Sequence, residues 1–285
     1  MDLILLPSLS CNYKCHYCFT RSPKMRSRVA VLGLRCQPSA DDWLVGIKWL
    51  EAEWGAVETV TVSGGEPLLF GEIIQLLVGL GETYGKVYLT SNLAFLTERF
   101  FDIPPGKIAM TVSAHLDLHG QIRQEFVTNL RELKTRGYDF DINFVAFPGQ
   151  LRKYDQVKNL AQEMGCSSHL EPYVDYNAST TSFGTFESPD DQKYFLDNAW
   201  DSDRHAITAA NRRGRQITNC NVGLKCPTIA ANGDIYPCLG MMFEDRFKLG
   251  NLFDRRSDFE TICKIQPIAC DIFCPCALNY REAFQ

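Results

Sequence analysis

The sequence predicts an α/β chain, a largely parallel sheet with helical crossovers, followed by a small cysteine-rich C-terminal unit. Three observations predict it. From residue 2 to about 175, short apolar runs alternate with longer amphipathic ones; the alternation stops after Tyr173; and the cysteines gather near the two ends of the chain. Strands separated by amphipathic helices are the pattern of βαβ units.

In chain order, the strands are expected at Leu3–Leu6, Val57–Ser63, Lys86–Thr90, Lys107–Ser113, Asp139–Phe147 and Ser168–Tyr173. Helices are expected at Asp41–Trp54, Glu72–Tyr84, Gln121–Arg136 and Lys153–Met164. The first of these puts Trp43, Ile47, Leu50 and Trp54 on one stripe at helical spacing. Gly137 and Gly165 each follow a helix where a left-handed cap residue belongs. Periodicity alone leaves a doubly wound sheet and a partial (β/α) barrel equally open. Both put ligands at the carboxyl ends of the strands.

Residues 175–190 are rich in Asn, Ser, Thr, Gly and Pro and read as a linker. Beyond them, Ile229–Cys238 reads as a hairpin around Asn232–Gly233, a dipeptide suited to a type I′ turn. The expected division is a core over residues 1–180, a linker with a connecting helix over 181–215, and a cysteine-rich unit over 216–285.

With 29 basic and 34 acidic side chains, the formal net charge is −5, which removes a whole-protein electrostatic case for nucleic-acid binding. No run approaches the roughly 18–20 apolar residues that span a bilayer. The N-terminal MDLILLPSLSC has no basic lead and is no signal peptide. A cytoplasmic location without membrane attachment is therefore expected. Stable disulfides are disfavoured there. The twelve cysteines, about 4% of the chain, also fall below the roughly 8–10% of disulfide scaffolds. Soft thiolates in clusters point to zinc or iron–sulfur ligation instead.

The first group lies directly after the first strand, in Ser10-Cys11-Asn12-Tyr13-Lys14-Cys15-His16-Tyr17-Cys18-Phe19, with spacing C-x3-C-x2-C. Three thiolates hold three irons of a [4Fe–4S] cluster and leave the fourth without a protein ligand, whereas closed clusters take four cysteines. A structural zinc site completed by His16 or a distant residue is the alternative.

This loop resembles the hallmark of the radical S-adenosylmethionine superfamily, with Tyr17 as the aromatic residue before the third cysteine. The resemblance implies a partial (β/α)6 TIM-like barrel. It also implies one [4Fe–4S] cluster held by Cys11, Cys15 and Cys18, whose open iron is chelated by S-adenosylmethionine. Reductive cleavage of that cofactor yields a 5′-deoxyadenosyl radical that abstracts hydrogen from a substrate. Gly64-Gly65-Glu66-Pro67 matches the family's GGE motif, which contacts the methionine amino group. Ser91, Asn92, Ser113 and Asn143, at or near later strand ends, are further candidate cofactor contacts, and Tyr17 is expected near the adenine. Each also suits a turn or a cap.

Cys220-x5-Cys226-x11-Cys238, with Gly233 before the third cysteine and Lys248-Leu-Gly-Asn-Leu252 after it, resembles the opening of a SPASM or shorter Twitch extension. This implies at least one auxiliary [4Fe–4S] cluster on Cys220, Cys226, Cys238 and Cys274, with Cys276 as competing fourth ligand. The later pattern Cys263-x6-Cys270-x3-Cys274-x1-Cys276 departs from a complete SPASM domain, leaving a second cluster on Cys263, Cys270 and Cys276 open. Cys36 and Cys166 stand apart as ordinary thiols. Glu171 and Asp117 are the candidate acid–base groups.

The expectation is a peptide maturase that cross-links or dehydrogenates a ribosomally made peptide, with an external reductant such as flavodoxin or ferredoxin. The chain starts two residues before its first strand, with no peptide-recognition domain ahead of it. That favours a separate recognition protein or a small-molecule substrate, and Twitch-type oxidation of an alcohol or aminocyclitol is the competing reading. A non-catalytic electron carrier is the third.

Overall fold

The computed structural model describes residues 1–21, 29, 32, 38–175, 182–183, 186, 188–199, 217–220, 225–257 and 268–270. Strand β1 (Asp2–Ser8) is followed by α1 (Ala40–Trp54), β2 (Thr59–Gly64), α2 (Ile73–Tyr84), β3 (Val87–Ser91), β4 (Ile108–Ser113), α3 (Gln124–Thr135), β5 (Asp139–Ala146), α4 (Tyr154–Met164) and β6 (Ser168–Pro172). These six strands lie side by side in sequence order and every neighbouring pair is parallel. This is the partial (β/α)6 barrel that the loop motif implied. The β3–β4 crossover has only 3-10 turns, at Glu98–Asp102 and Pro105–Lys107.

Alternation along the strands separates two faces. Val60, Val62, Val87, Leu89, Ile108, Met110, Val112, Ile142 and Phe144 are buried in the main core, together with Trp43, Ile47 and Leu50 of α1 and Leu76, Leu77 and Leu80 of α2. Period-2 strand residues and period-3.6 helix residues meet in that layer, which is why both elements persist. The opposite, concave face carries Thr111 and Ser113 on β4, Asp141 and Asn143 on β5, and His169 and Glu171 on β6. Ser39 caps α1 in a reciprocal box with Asp42. Gly165 ends α4 in the left-handed conformation its position called for.

Further along, β7 (Val174–Asp175) pairs with β8 (Ser182–Phe183) within the expected linker, and Ser188 caps α5 (Pro189–Asn198). Strand β9 is Ile217–Cys220, and β10 (Thr228–Ile229) and β11 (Asp234–Tyr236) form the expected hairpin. Then come α6 (Leu239–Glu244), β12 (Gly250–Asn251), β13 (Arg256–Ser257) and β14 (Ile268–Cys270), the last paired with β9. Strand β10 adds in parallel to the free edge of β1, so β10 to β13 extend the barrel sheet. Leu252 of the Lys248–Leu252 segment packs against Gly46 of α1, where an added Cβ would meet its side chain at 2.5 Å.

Two local expectations are corrected. Helix α3 begins at Gln124 because Leu116 and Ile122 form a bridge that closes a small loop first. The hairpin turn is not type I′, since Gly233 has positive φ (84°) and Asn232 does not. Its hydrogen bonds, Gly233 N–H to Ala230 O and Ala230 N–H to Asp234 O, make a type I turn with Gly233 as the left-handed bulge residue. Among the described residues, no helix is long and apolar enough to cross a membrane.

Candidate functional site

The cysteine loop leaves the carboxyl end of β1, and the β2 turn is docked directly beneath it. Gly65 and Glu66 donate their N–H groups to the carbonyls of Ser8 (2.9 Å) and Ser10 (2.8 Å). A Cβ on Gly65 would lie 2.2 Å from Ser10 O, and one on Gly64 would lie 2.2 Å from Ser8 O. The two glycines are thus required by backbone meeting backbone.

Glu66 is fully buried. Its carboxylate accepts hydrogen bonds from Leu68 N–H (3.0 Å), Ser91 Oγ (2.8 Å) and Asn92 N–H (2.7 Å). Burial pushes the carboxyl above its ordinary range, and these donors oppose that shift. Ser91 Oγ also accepts from Leu93 N–H, and Leu93 adopts positive φ (60°). Of the expected cofactor contacts, Glu66, Ser91 and Asn92 therefore form a buttress joining the ends of β1, β2 and β3. Asn92 reaches furthest, its amide donating to Asn12 Oδ1 (3.0 Å) and toward Cys11 Sγ (3.7 Å).

Cys11, Cys15 and Cys18 are unpaired, partly exposed thiols within electrostatic reach of one another. Burial pushes Cys11 up to about 11, with the Tyr13 N–H pulling against it, and pushes Cys15 up as well. Every sulfur has polar company. Tyr13 N–H donates to Cys11 Sγ (3.4 Å), His115 Nδ1 lies 3.5 Å from Cys15 Sγ, and Thr20 Oγ1 lies 3.1 Å from Cys18 Sγ. Donors around thiolates are what an iron–sulfur cluster requires to offset its negative charge. Among the described residues, no three of His, Cys, Asp and Glu converge on one point as ligands of a single metal ion. The rival zinc ligand, His16, packs its ring edge-on against Phe147, with centroids 4.3 Å apart. With polar partners at each sulfur and His16 engaged by Phe147, the three-thiol loop fits an iron–sulfur cluster.

Tyr17 stacks over His115, and its hydroxyl is 2.8 Å from His115 Nδ1. Burial, aided by the Arg123 charge, pushes His115 down to about 4, so the ring is neutral at pH 7. Tyr13 meets the same ring edge-on, lies under the Arg123 guanidinium (4.4 Å) and donates its hydroxyl to Glu125 Oε1 (3.0 Å). His115 is the residue that sequence reasoning came closest to missing. Its only signal was a place two residues beyond β4, shared with Asp117 and His119.

Asp117 has other work. Its Oδ1 accepts from His119 N–H (2.8 Å) and Gln121 N–H (3.0 Å), which holds the loop and lowers its pKa. Ser113 and Asn143 are in register on the concave face of β4 and β5, and Glu171 lies on the same face of β6, two residues beyond His169.

Of the second cysteine group, Cys226 and Cys238 lie toward the amino end of β1. Cys226 and Cys238 flank the hairpin, each two residues outside the Thr228–Tyr236 pair. Burial pushes Cys226 up to about 11, with Asp2 adding and the N-terminal ammonium opposing. Cys238 caps α6 by accepting from Met241 N–H (3.4 Å). Cys220 and Cys270 sit on the paired strands β9 and β14. Cys263, Cys274 and Cys276 lie outside the described residues, as does Cys36, while Cys166 is an isolated free thiol.

The sequence profile of the Radical SAM superfamily matches residues 5–161, more than half of the chain. No curated protein matches the chain in sequence. Among solved structures, Streptococcus suis SuiB bound to S-adenosylmethionine superposes with a TM-score of 0.65 at 18% identity, covering 92% of this chain and 63% of SuiB. SuiB bound to its precursor peptide SuiA gives 0.64 at 17% identity, covering 92% and 64%. Native anSMEcpe with bound AdoMet gives 0.61 at 17% identity, covering 89% and 78%. The fold is shared, and this chain spans about 63% of the length of SuiB.

Proposed function

The chain belongs to the radical S-adenosylmethionine superfamily, and from that premise we propose that it oxidatively modifies a ribosomally made peptide, by cross-linking or dehydrogenation. Membership implies S-adenosylmethionine and a [4Fe–4S] cluster. Bound together, these supply a 5′-deoxyadenosyl radical able to take a hydrogen atom. The observation that carries the reading is the Cys11–Cys15–Cys18 loop at the carboxyl end of β1, with a polar partner at each sulfur.

In this reading the three thiolates bind iron, and Tyr13 N–H, Asn92 and Thr20 stabilise their charge. Glu66, Ser91 and the Gly64–Gly65 turn keep the loop in place. Tyr17, backed by neutral His115, and Ser113 face the cofactor. Glu171 accepts the proton released by an oxidised substrate. Cys220, Cys226, Cys238 and Cys274 are assigned to one auxiliary cluster, with Cys276 as the competing fourth ligand; whether Cys263, Cys270 and Cys276 hold a second is left to iron counting. Reducing electrons come from a flavodoxin or ferredoxin. The peptide assignment is supported by a fold shared with SuiB, whose structure includes its precursor peptide.

The test is anaerobic reconstitution with iron, sulfide and dithionite. Release of 5′-deoxyadenosine from S-adenosylmethionine is expected, and none from a fully loaded enzyme defeats the reading. A mass loss on a co-expressed precursor peptide supports a peptide substrate. Turnover of free alcohols or aminocyclitols alone supports the small-molecule alternative.

A further inference from the structure

The concave face of the barrel holds a polar group that the cysteine chemistry does not use. In the parallel register, Ser113, Asn143 and His169 form one row across β4, β5 and β6, with Thr111 and Asp141 in the row beneath. Glu171 lies one row above, opposite Val145. Two residues along a strand rise ~6.6 Å, so this group begins about one repeat below the level of His115 and Cys15.

Its acceptors outnumber its donors. Asn143 is 4% exposed, yet its Oδ1 receives no hydrogen bond from the described residues, and neither does the buried Oδ1 of Asp141. Among the described residues, Asp141 Oδ2 has only Thr111 Oγ1, at 3.5 Å. His169 lies between the two acids, with Nδ1 3.7 Å from Asp141 Oδ1 and Nε2 3.8 Å from Glu171 Oε1, beyond hydrogen-bond length. Burial raises the Asp141 carboxyl and the Glu171 charge adds to it, while His169 and Thr111 oppose; among the described residues no lysine or arginine acts on it. A buried acceptor oxygen without a donor costs free energy unless a ligand supplies one. Two carboxylates and a carboxamide oxygen suit a group that is all donors, and ammonium and guanidinium are such groups.

We propose that Asp141, Asn143 and Glu171, spaced by His169, form the substrate subsite for a cationic amine or guanidinium. The subsite rests on the reading of the barrel as a substrate chamber, and it moves Asn143 from the cofactor's contacts to the substrate's. It selects either a lysine or arginine side chain of a peptide or a free aliphatic amine.

The test is titration calorimetry on the cluster-loaded full chain with saturating S-adenosylmethionine. N-acetyl-lysine amide and N-acetyl-arginine amide represent the peptide source, 1,3-diaminocyclohexane the free amine, and N-acetyl-norleucine amide the neutral control. At least one cationic probe is expected to bind about tenfold or more tightly than norleucine amide, as charge-assisted hydrogen bonds allow. Asp141→Asn and Glu171→Gln are each expected to erase that preference. Asp190→Asn, on the exposed start of α5, is expected to keep it. Equal binding of cationic and neutral probes, or a preference surviving both variants with unchanged melting, overturns the subsite. Preferential amine binding without any 5′-deoxyadenosine release would instead defeat the radical reading and leave the subsite standing.

Discussion

Glu66, beneath the Cys11–Cys18 loop, takes two of its hydrogen bonds from backbone N–H groups and one from a hydroxyl. Asp234, in the C-terminal hairpin, takes its hydrogen bonds from the amides of Asn232 (3.0 Å) and Asn251 (2.9 Å) and pairs with Lys248 Nζ (2.5 Å). Both acids are buried and both join strands. Backbone donors cannot change rotamer, so the first arrangement fixes the loop to the sheet. Side-chain donors can move, and Lys248 is half exposed, so water can replace part of the second arrangement. The support of the cysteine loop is built for fixed geometry, the hairpin turn for tolerance.

The largest effect to separate the two regions comes from the cysteines. Replacing Cys11, Cys15 and Cys18 with Ala should abolish 5′-deoxyadenosine formation while the C-terminal region still binds iron and sulfide. About four irons remaining supports one auxiliary cluster and about eight supports two. Retained zinc without iron would break the comparison at its base.

Next comes Glu66→Ala, which leaves three donors without their acceptor and should cost about 3 kcal/mol or more in denaturant unfolding. A loss under about 1 kcal/mol would remove the buttress.

The pH dependence follows. His115 is depressed to about 4, so the unfolded chain takes up the proton first as pH falls. Stability from its neutral form is complete above about pH 6.5 and is lost toward pH 4, by up to about 3 kcal/mol. His115→Gln should flatten that acid limb in melts of the cluster-free protein.

The smallest effect is expected from Asp234→Asn, about 1 kcal/mol in the same unfolding assay. A loss matching that of Glu66→Ala would erase the proposed difference.

Much of this architecture was legible before any coordinates. The β1–β6 strands and their helices follow from periods of 2 and 3.6, with boundaries off by at most three residues. The first cysteine group was legible because its three members share one eight-residue loop. The buttress was not, since Ser91 and Asn92 lie 25 and 26 residues from Glu66 and only the β2–β3 register brings them together. Asp141 and His169 stayed hidden for the same reason, as facing is decided across strands. The Gly233 turn misled because Asn-Gly suits both a type I′ turn and a bulge.

Strand β1 has one further consequence. Its neighbour β2 is made early, but the partner for its other edge, Thr228–Ile229, follows more than 200 residues later. At roughly 5–20 residues per second, that interval is about 10–40 s of synthesis. Throughout it the Ile4–Leu5 edge, apolar and unpaired, is open to any extended chain nearby. The hairpin is thus also a late-arriving guard for the nascent barrel, and a ribosome stalled before residue 228 would hold a sheet still able to recruit a stranger.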